Sequence, residues 1–331
     1  MSIRTSKTAN GITIVTREWV LSNLKWYVAI ARPDHWVKNV FMLIGTGAAL
    51  VMHRGEIPIN AAAGIVAGFV ATCLIASSNY VINEILDAPQ DLEHADKRSR
   101  PIPRGLVSIQ FAYLEWLLLG VVGLLIAWNI SVPFFLSGVT LWVMGVLYNV
   151  PPIRLKELPI FDVLSEAVNN PIRLLLGWYA VGNLPLPPSS ILISYWLLGS
   201  FFMAAKRLGE YRDINDIRVA SAYRHSFQWY TEHKLIISMM VYSSGFLFFF
   251  AVVMTKYHPE LIVSAPFLMI LIGYITKLSF EPHSIIQHPE RLLRKPLFLV
   301  YAMWCIALLF ILSIVSIPSI ESLLGLEGRK W

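Results

Sequence analysis

The stretch from Ala61 to Asp91 reads AAAGIVAGFVATCLIASSNYVINEILDAPQD. Its first 22 residues, up to Ile82, contain no Asp, Glu, Lys or Arg, and about 20 such residues suffice for a helix to cross the hydrocarbon core of a bilayer. The character then changes within a turn, to Asn83, Glu84, Asp87 and Asp91. Anions at a membrane boundary are costly and are kept where they serve a purpose. This stretch therefore reads as a membrane span with chemistry at its mouth.

The rest of the 331 residues has the same character. Residues of the AVILMFWYC set make up 56% and charged residues only 15%, against roughly 25% in a soluble domain. Apolar runs of helix-forming length fall near 39–53, 61–86, 109–128, 131–149, 161–182, 190–205, 235–255, 261–277 and 297–316. The expectation is an all-α integral membrane protein: a nine-helix bundle in one domain over 1–331, with a cytoplasmic amphipathic segment at 1–38. A central polar cavity is expected to open near the cytoplasmic side. With the N-terminus taken as cytoplasmic, 22 of the 27 Lys and Arg lie inside, 4 outside, and Arg173 within a span. That asymmetry orients the chain with its N-terminus in and its C-terminus out, in the cytoplasmic membrane. It also accounts for the net charge of +6 without nucleic acid. Cys73 and Cys305 both sit in apolar runs, which leaves no disulfide framework, and no cleaved signal is expected at the N-terminus.

Asn83, Asp87 and Asp91 recur every four residues, a spacing that puts them on one helix face, although Pro89 is expected to bend or end that helix near Ala88. Such oxygen ligands suit Mg²⁺, which takes one or two carboxylates and completes its shell with water and substrate phosphates. A solvated helix end is the plainer alternative. The next segment supplies complementary charge in Lys97, Arg98, Arg100 and Arg104. Guanidinium groups grip phosphate oxygens bidentately, and the same cations also serve as a positive-inside anchor. In the run 161–182, Asp162, Glu166, Asn169, Asn170 and Arg173 form a polar stripe on an apolar helix. Such a stripe faces a cavity or a protein partner, or forms a purely structural network between helices. Arg173 lies about 16 Å deeper than Asp162 at 1.5 Å per residue, too far for a direct pair, so its candidate partners are Asn169, Asn170, groups on neighbouring spans or, as the favoured expectation, a phosphate reaching into the cavity.

Asn83-x-x-x-Asp87-x-x-x-Asp91 followed by Lys97-Arg98-x-Arg100-Pro101 resembles the first signature of the UbiA superfamily of intramembrane prenyltransferases, with Glu84 where that signature usually has Asp. Arg32-Pro33-x-x-Trp36-x-Lys38-Asn39 is similar to the opening of its decaprenyl-phosphate phosphoribosyltransferase branch. So is an Asp eleven residues before an Arg, here Asp162 and Arg173. Lys206-Arg207-x-x-Glu210 stands where other members carry a second acidic motif, of which Asp213 and Asp216 would be a diluted form. Tyr223-Arg224 and Tyr230-Thr231 also resemble the branch. Tyr148-x-x-Pro151-Pro152-x-Arg154-x-Lys156 looks more like the loop of aromatic and chlorophyll-type prenyltransferases.

The resemblance implies a transferase. The leading expectation is Mg²⁺-dependent transfer of 5-phosphoribose from phosphoribosyl diphosphate to a polyprenyl phosphate, with diphosphate leaving. Asp87, Asp91, Lys206 and Glu210 would be catalytic, with Asn83, Asp87 and Asp91 holding the metal. Substrate binding would fall to Lys38, Asn39, Lys97, Arg98, Arg100, Tyr148, Arg154, Lys156, Asp162, Asn169, Asn170, Arg173, Arg207, Asp213 and Arg224. The alternative is prenyl transfer from a polyprenyl diphosphate to an aromatic or other lipophilic acceptor. A transporter of a phosphorylated solute is a remote third. No alternating strand and helix pattern suggests a soluble phosphoribosyltransferase, and the eight histidines include no His-Glu-x-x-His spacing.

Overall fold

The computed structural model describes residues 23–53, 58–93, 97–214, 225–287, 292 and 295–324, and these contain helices and no strand. The helices are α1 (Leu24–Ile30), α2 (Met42–Met52), α3 (Ala61–Glu93), α4 (Ile109–Trp128), α5 (Val132–Asn149), α6 (Phe161–Ala167) and α7 (Asn169–Ala180). They continue with α8 (Ser189–Ile214), α9 (Glu232–Lys256), α10 (Ala265–Ser279), α11 (Pro296–Leu312) and α12 (Pro318–Leu323). A 3₁₀ segment, Pro33–Phe41, joins α1 to α2. Seven segments among the described residues are long and apolar enough to cross a membrane. The two other apolar runs fall short of that length. Residues 161–182 form two short helices that meet at Val168, and α11 has 17 residues.

The bundle is apolar outside and partly polar within, as a lipid-solvated protein requires. On α4, Leu114, Leu117, Leu118, Val121 and Leu125 are all exposed, whereas Thr72, Ser77 and Ser78 on α3 are buried. Those buried hydroxyls find partners. Ser77 Oγ accepts from Trp36 Nε1 (2.9 Å), and Ser78 Oγ donates to the Trp116 carbonyl (2.7 Å) while accepting from Trp142 Nε1 (3.1 Å). Close approach supplies the rest of the packing. A Cβ on Gly177 would lie 1.7 Å from the Met42 carbonyl oxygen, and one on Gly45 would lie 1.9 Å from that of Leu174. Bare Cα atoms thus let α2 and α7 touch backbone to backbone, the small-residue mode of packing in lipid.

Local signals set the helix starts. Ser131 Oγ caps α5 by accepting from Phe134 N (3.2 Å), and Thr231 Oγ1 caps α9 by accepting from Lys234 N (3.3 Å). Of the two outcomes expected at Pro89, an end near Ala88 is not found: α3 runs through Pro89 to Glu93. The ring removes one main-chain donor and crowds the carbonyl four residues earlier, a cost that 33 residues packed along α4 absorb. Asp91 is consequently on the helix, in register with Asn83 and Asp87. Residues 61–82 span about 33 Å and match the hydrocarbon thickness of about 30 Å. The carboxylates therefore sit at one end of the bundle, together with the C-terminal ends of α5 and α8 and the start of α6.

Candidate active site

The last turns of α3 carry the first ionic cluster. Asn83 Nδ2 donates to Asp87 Oδ2 (3.1 Å) and to Asn149 Oδ1 (2.5 Å) at the end of α5. Asp87 Oδ1 accepts from Arg154 Nη2 (3.0 Å) and pairs with Lys156 Nζ, which also donates to Asn149 Oδ1 (3.0 Å). Both cations come from the connection after α5, where Arg154 turns the chain with a φ of +36° and a 3₁₀ turn, Leu155–Glu157, follows. Asp91 is buried against Arg100 Nη1 at 2.6 Å. Glu84 points elsewhere: its carboxylate accepts from Ile102 N (3.2 Å) and lies 3.8 Å from Arg32. It anchors the 100–105 connection, so the departure at this position leaves the Asn83, Asp87 and Asp91 face intact.

The second cluster centres on Arg207 of α8, which is fully buried. Its Nε donates to Asp162 Oδ2 (3.0 Å), Nη1 to Glu210 Oε2 (2.9 Å) and Nη2 to Glu166 Oε2 (2.8 Å). Asp162, also fully buried, accepts further from Ser226 Oγ (3.1 Å) and Tyr230 Oη (2.5 Å). Tyr230 Oη in turn accepts from the N–H of Ile160 (2.7 Å), a β-branched residue at the strained φ of +70°. Burial, and then the Asp162 carboxylate, push the Tyr230 phenol well above its usual pKa, so it stays a donor. Lys206, the neighbour of Arg207, is not sealed in; its Nζ lies 3.7 Å from Glu166 Oε1.

The two clusters are connected. Glu166 Oε2 also accepts from Tyr148 Oη (3.2 Å), and the Tyr148 ring lies 6.0 Å from Lys156 Nζ. A chain of contacts thus runs from Lys206 through Glu166, Tyr148 and Lys156 to Asp87. Asn83, Asp87, Asp91, Arg100, Tyr148, Arg154, Lys156, Asp162, Lys206, Arg207 and Glu210 all belong to these clusters or to the link. The expected residues at other places are several. Asp213 accepts from His283 N (2.8 Å), and Asn169 donates to the Glu166 carbonyl (3.1 Å). Arg98 is exposed on the turn Lys97–Ser99, and Lys38 is half-buried beside Asn39. Asn170 and Arg173 lie half-buried on α7, with Arg173 Nε donating to Asn39 Oδ1 (3.0 Å). Arg224 lies outside the described residues.

Sequence reasoning missed Asn149 as a member of the first cluster, although it stands inside the quoted Tyr148–Lys156 motif. It also missed the ties of Ser226 and Tyr230 to Asp162, since nothing local signals a contact across more than 60 residues. Asn83, Asp87, Asp91 and Asn149 present hard oxygen donors of the kind Mg²⁺ prefers. An ammonium already rests between Asp87 Oδ1 and Asn149 Oδ1, so these oxygens accommodate a cation. Among the described residues no group of three or more His, Cys, Asp or Glu gathers as a metal cage. Any metal held here would therefore rely on two carboxylates, amide oxygens and ligand oxygens.

A model of the UbiA prenyltransferase family matches residues 40–284. The decaprenyl-phosphate phosphoribosyltransferase of Mycobacterium tuberculosis is 32% identical over 209 residues, which cover 63% of this chain and 67% of that one. Its counterpart in Mycolicibacterium smegmatis is 31% identical over 212 residues, 63% of each chain. The alignments thus span about two thirds of the length of these relatives. Among solved structures, a UbiA homolog from Archaeoglobus fulgidus bound to GPP and Mg²⁺ superposes with a TM-score of 0.63 at 18% identity, covering 88% of this chain and 100% of that one.

Proposed function

This chain belongs to the UbiA prenyltransferase family, and from that premise we propose that it transfers 5-phosphoribose from phosphoribosyl diphosphate to a polyprenyl phosphate in the membrane. It is a transferase and an integral membrane protein. The observation that carries the reading is the contact chain from Asp87 to Lys206, which joins a carboxylate pair to cations on both walls of one site. A donor with a diphosphate and a further phosphate needs such an arrangement, with cations beyond those beside the metal ligands. The names of the mycobacterial relatives support the same reading.

In this reading the bond between the anomeric carbon and the diphosphate oxygen breaks, and an oxygen of the lipid phosphate forms the new bond. Magnesium held by Asn83, Asp87 and Asp91 would neutralise charge on the departing diphosphate. Arg100, Arg154 and Lys156 bind its oxygens, helped by Lys97 and Arg98 from the same inner connection. Lys206, held by Glu166, adds a further cation for phosphate oxygens, and Glu210 and Asp162 fix Arg207 and with it the wall on which Lys206 stands. The surrounding bundle keeps water from the electron-poor carbon. The whole chain, 1–331, would form one nine-span domain in the cytoplasmic membrane, its N-terminus inside, its C-terminus outside and its cavity open toward the cytoplasm. The gathering of all these ions at one end of the bundle supports that orientation.

A second reading, prenyl transfer to an aromatic acceptor, is favoured by one observation: the Tyr148–Lys156 loop, which resembles that of aromatic prenyltransferases, contacts Asp87 directly. Purified protein should be incubated with polyprenyl phosphate and phosphoribosyl diphosphate, and separately with a prenyl diphosphate and an aromatic acid. Magnesium-dependent diphosphate release in the first mixture alone is expected. Release in the second alone would replace the first reading by the second. Uptake of a phosphorylated solute by sealed vesicles, with no covalent product, would point instead to transport.

A further inference from the structure

Arg173 is a cation inside the bundle with no carboxylate within ion-pair distance among the described residues. Its Nε donates to Asn39 Oδ1 (3.0 Å), and Asn39, fully buried, donates from Nδ2 to Cys73 Sγ (3.3 Å). These two bonds fix the amide and so orient the guanidinium. Nη1 and Nη2 have no hydrogen-bond partner among the described residues. The acids Asp162, Glu166 and Glu210 of α6 and α8 are engaged by Arg207, and Glu166 also by Lys206. A guanidinium carries a fixed positive charge, and a cation without an opposite charge at membrane depth is costly.

The surroundings say what would compensate it. Glu166, Asn169, Asn170 and Arg173 are half-buried, and helical spacing puts them on one side of α6 and α7, with Leu164, Val168 and Leu175 on the opposite side. Forked N–H groups suit a tetrahedral oxyanion. Along α3, Cys73 precedes Asn83 by ten residues, about 15 Å. The guanidinium is therefore at a different level from the Asp87 cluster and would serve a different anion.

We propose that Arg173, oriented by Asn39, forms a second anion site that takes a phosphate monoester at the level of Cys73. This rests on the phosphoribosyl-transfer reading, in which both substrates carry such a group: the 5-phosphate of the donor and the phosphate of the lipid. Asn39 is a positioning residue here. An aspartate at position 39 keeps its size but supplies the missing carboxylate, so it should compete with the ligand.

The test is equilibrium binding to full-length protein in nanodiscs with magnesium present, using farnesyl phosphate, phosphoribosyl diphosphate and 4-hydroxybenzoate as probes. Arg173→Gln should raise the Kd of one phosphate probe at least tenfold and leave the other within twofold. Loss confined to farnesyl phosphate assigns the site to the lipid, and loss confined to phosphoribosyl diphosphate assigns it to the donor. Asn39→Asp should weaken the same probe while holding or raising the Tm, and it decides the matter if Arg173→Gln does not fold. Equal effects on both phosphates, no effect on either, or loss confined to 4-hydroxybenzoate would overturn the site while leaving the transfer reading standing. Wild-type protein that binds neither phosphate would overturn both.

Discussion

The Asp87 and Arg207 clusters stand at the same end of the bundle and are made of the same groups, yet they are built for different work. Around Asp87 the cations come from connections between helices, and the side chains of Asp87, Arg154 and Arg100 retain 20%, 12% and 22% exposure. Around Arg207 the partners come from helices α6 and α8, and Arg207 and Asp162 retain none. Ions that water still reaches exchange partners when a ligand arrives. A guanidinium held by three carboxylates and sealed from water acts as a fastening. Lys206 and Arg207 are neighbours in sequence, but about 100° of helical rotation sends one toward the link with Lys156 and seals the other inside. Adjacent cations in a motif therefore need not share a role.

The contrast is broken most severely at Arg207. Arg207→Leu leaves Asp162, Glu166 and Glu210 without their common partner, and losing one member of a buried ion pair costs about 3–5 kcal/mol. A large fall in Tm in detergent is expected; an unchanged Tm would show that the cluster is not a fastening. At Asp87 the expected loss is in rate. Asp87→Asn should cut diphosphate release at saturating magnesium about a hundredfold, about 3 kcal/mol of lost stabilisation, with Tm nearly unchanged. Near-normal turnover would remove Asp87 from the metal site.

A finer test uses Lys156, whose ammonium rests on the oxygens expected to hold the metal. Lys156→Met should strengthen Mn²⁺ binding to substrate-free protein, measured by electron paramagnetic resonance. The same variant should weaken inorganic diphosphate binding about tenfold, the scale of one charged hydrogen bond. Opposite signs are the signature of a cation that yields its place to the metal and turns to the ligand. Weaker binding of both would mean that Lys156 only props up the loop. The smallest effect is expected at Tyr230. Tyr230→Phe removes one donor to Asp162 and the acceptor for Ile160 N, a loss of about 1–3 kcal/mol that a Tm measurement registers while the Mn²⁺ affinity stays put.

Much of this was legible beforehand. The charge-free run 61–82, the four-residue spacing of Asn83, Asp87 and Asp91, and the cations at 97–104 are local patterns. Hydrophobicity and helical period are sums over neighbouring residues, so the sequence by itself determined the membrane class, the helical architecture and the end of the bundle where the ions collect. It did not determine which ion meets which. That Arg207 is neutralised by Asp162 and Glu166, 45 and 41 residues away, that Glu84 turns from the metal face to hold Ile102, and that Arg173 meets Asn39 across 134 residues depend on how helices approach one another. The tertiary structure also carried α3 through Pro89, because packing along α4 outweighed one missing hydrogen bond. Pairing is a property of distances between segments remote in the chain, and those distances exist only once the bundle has packed.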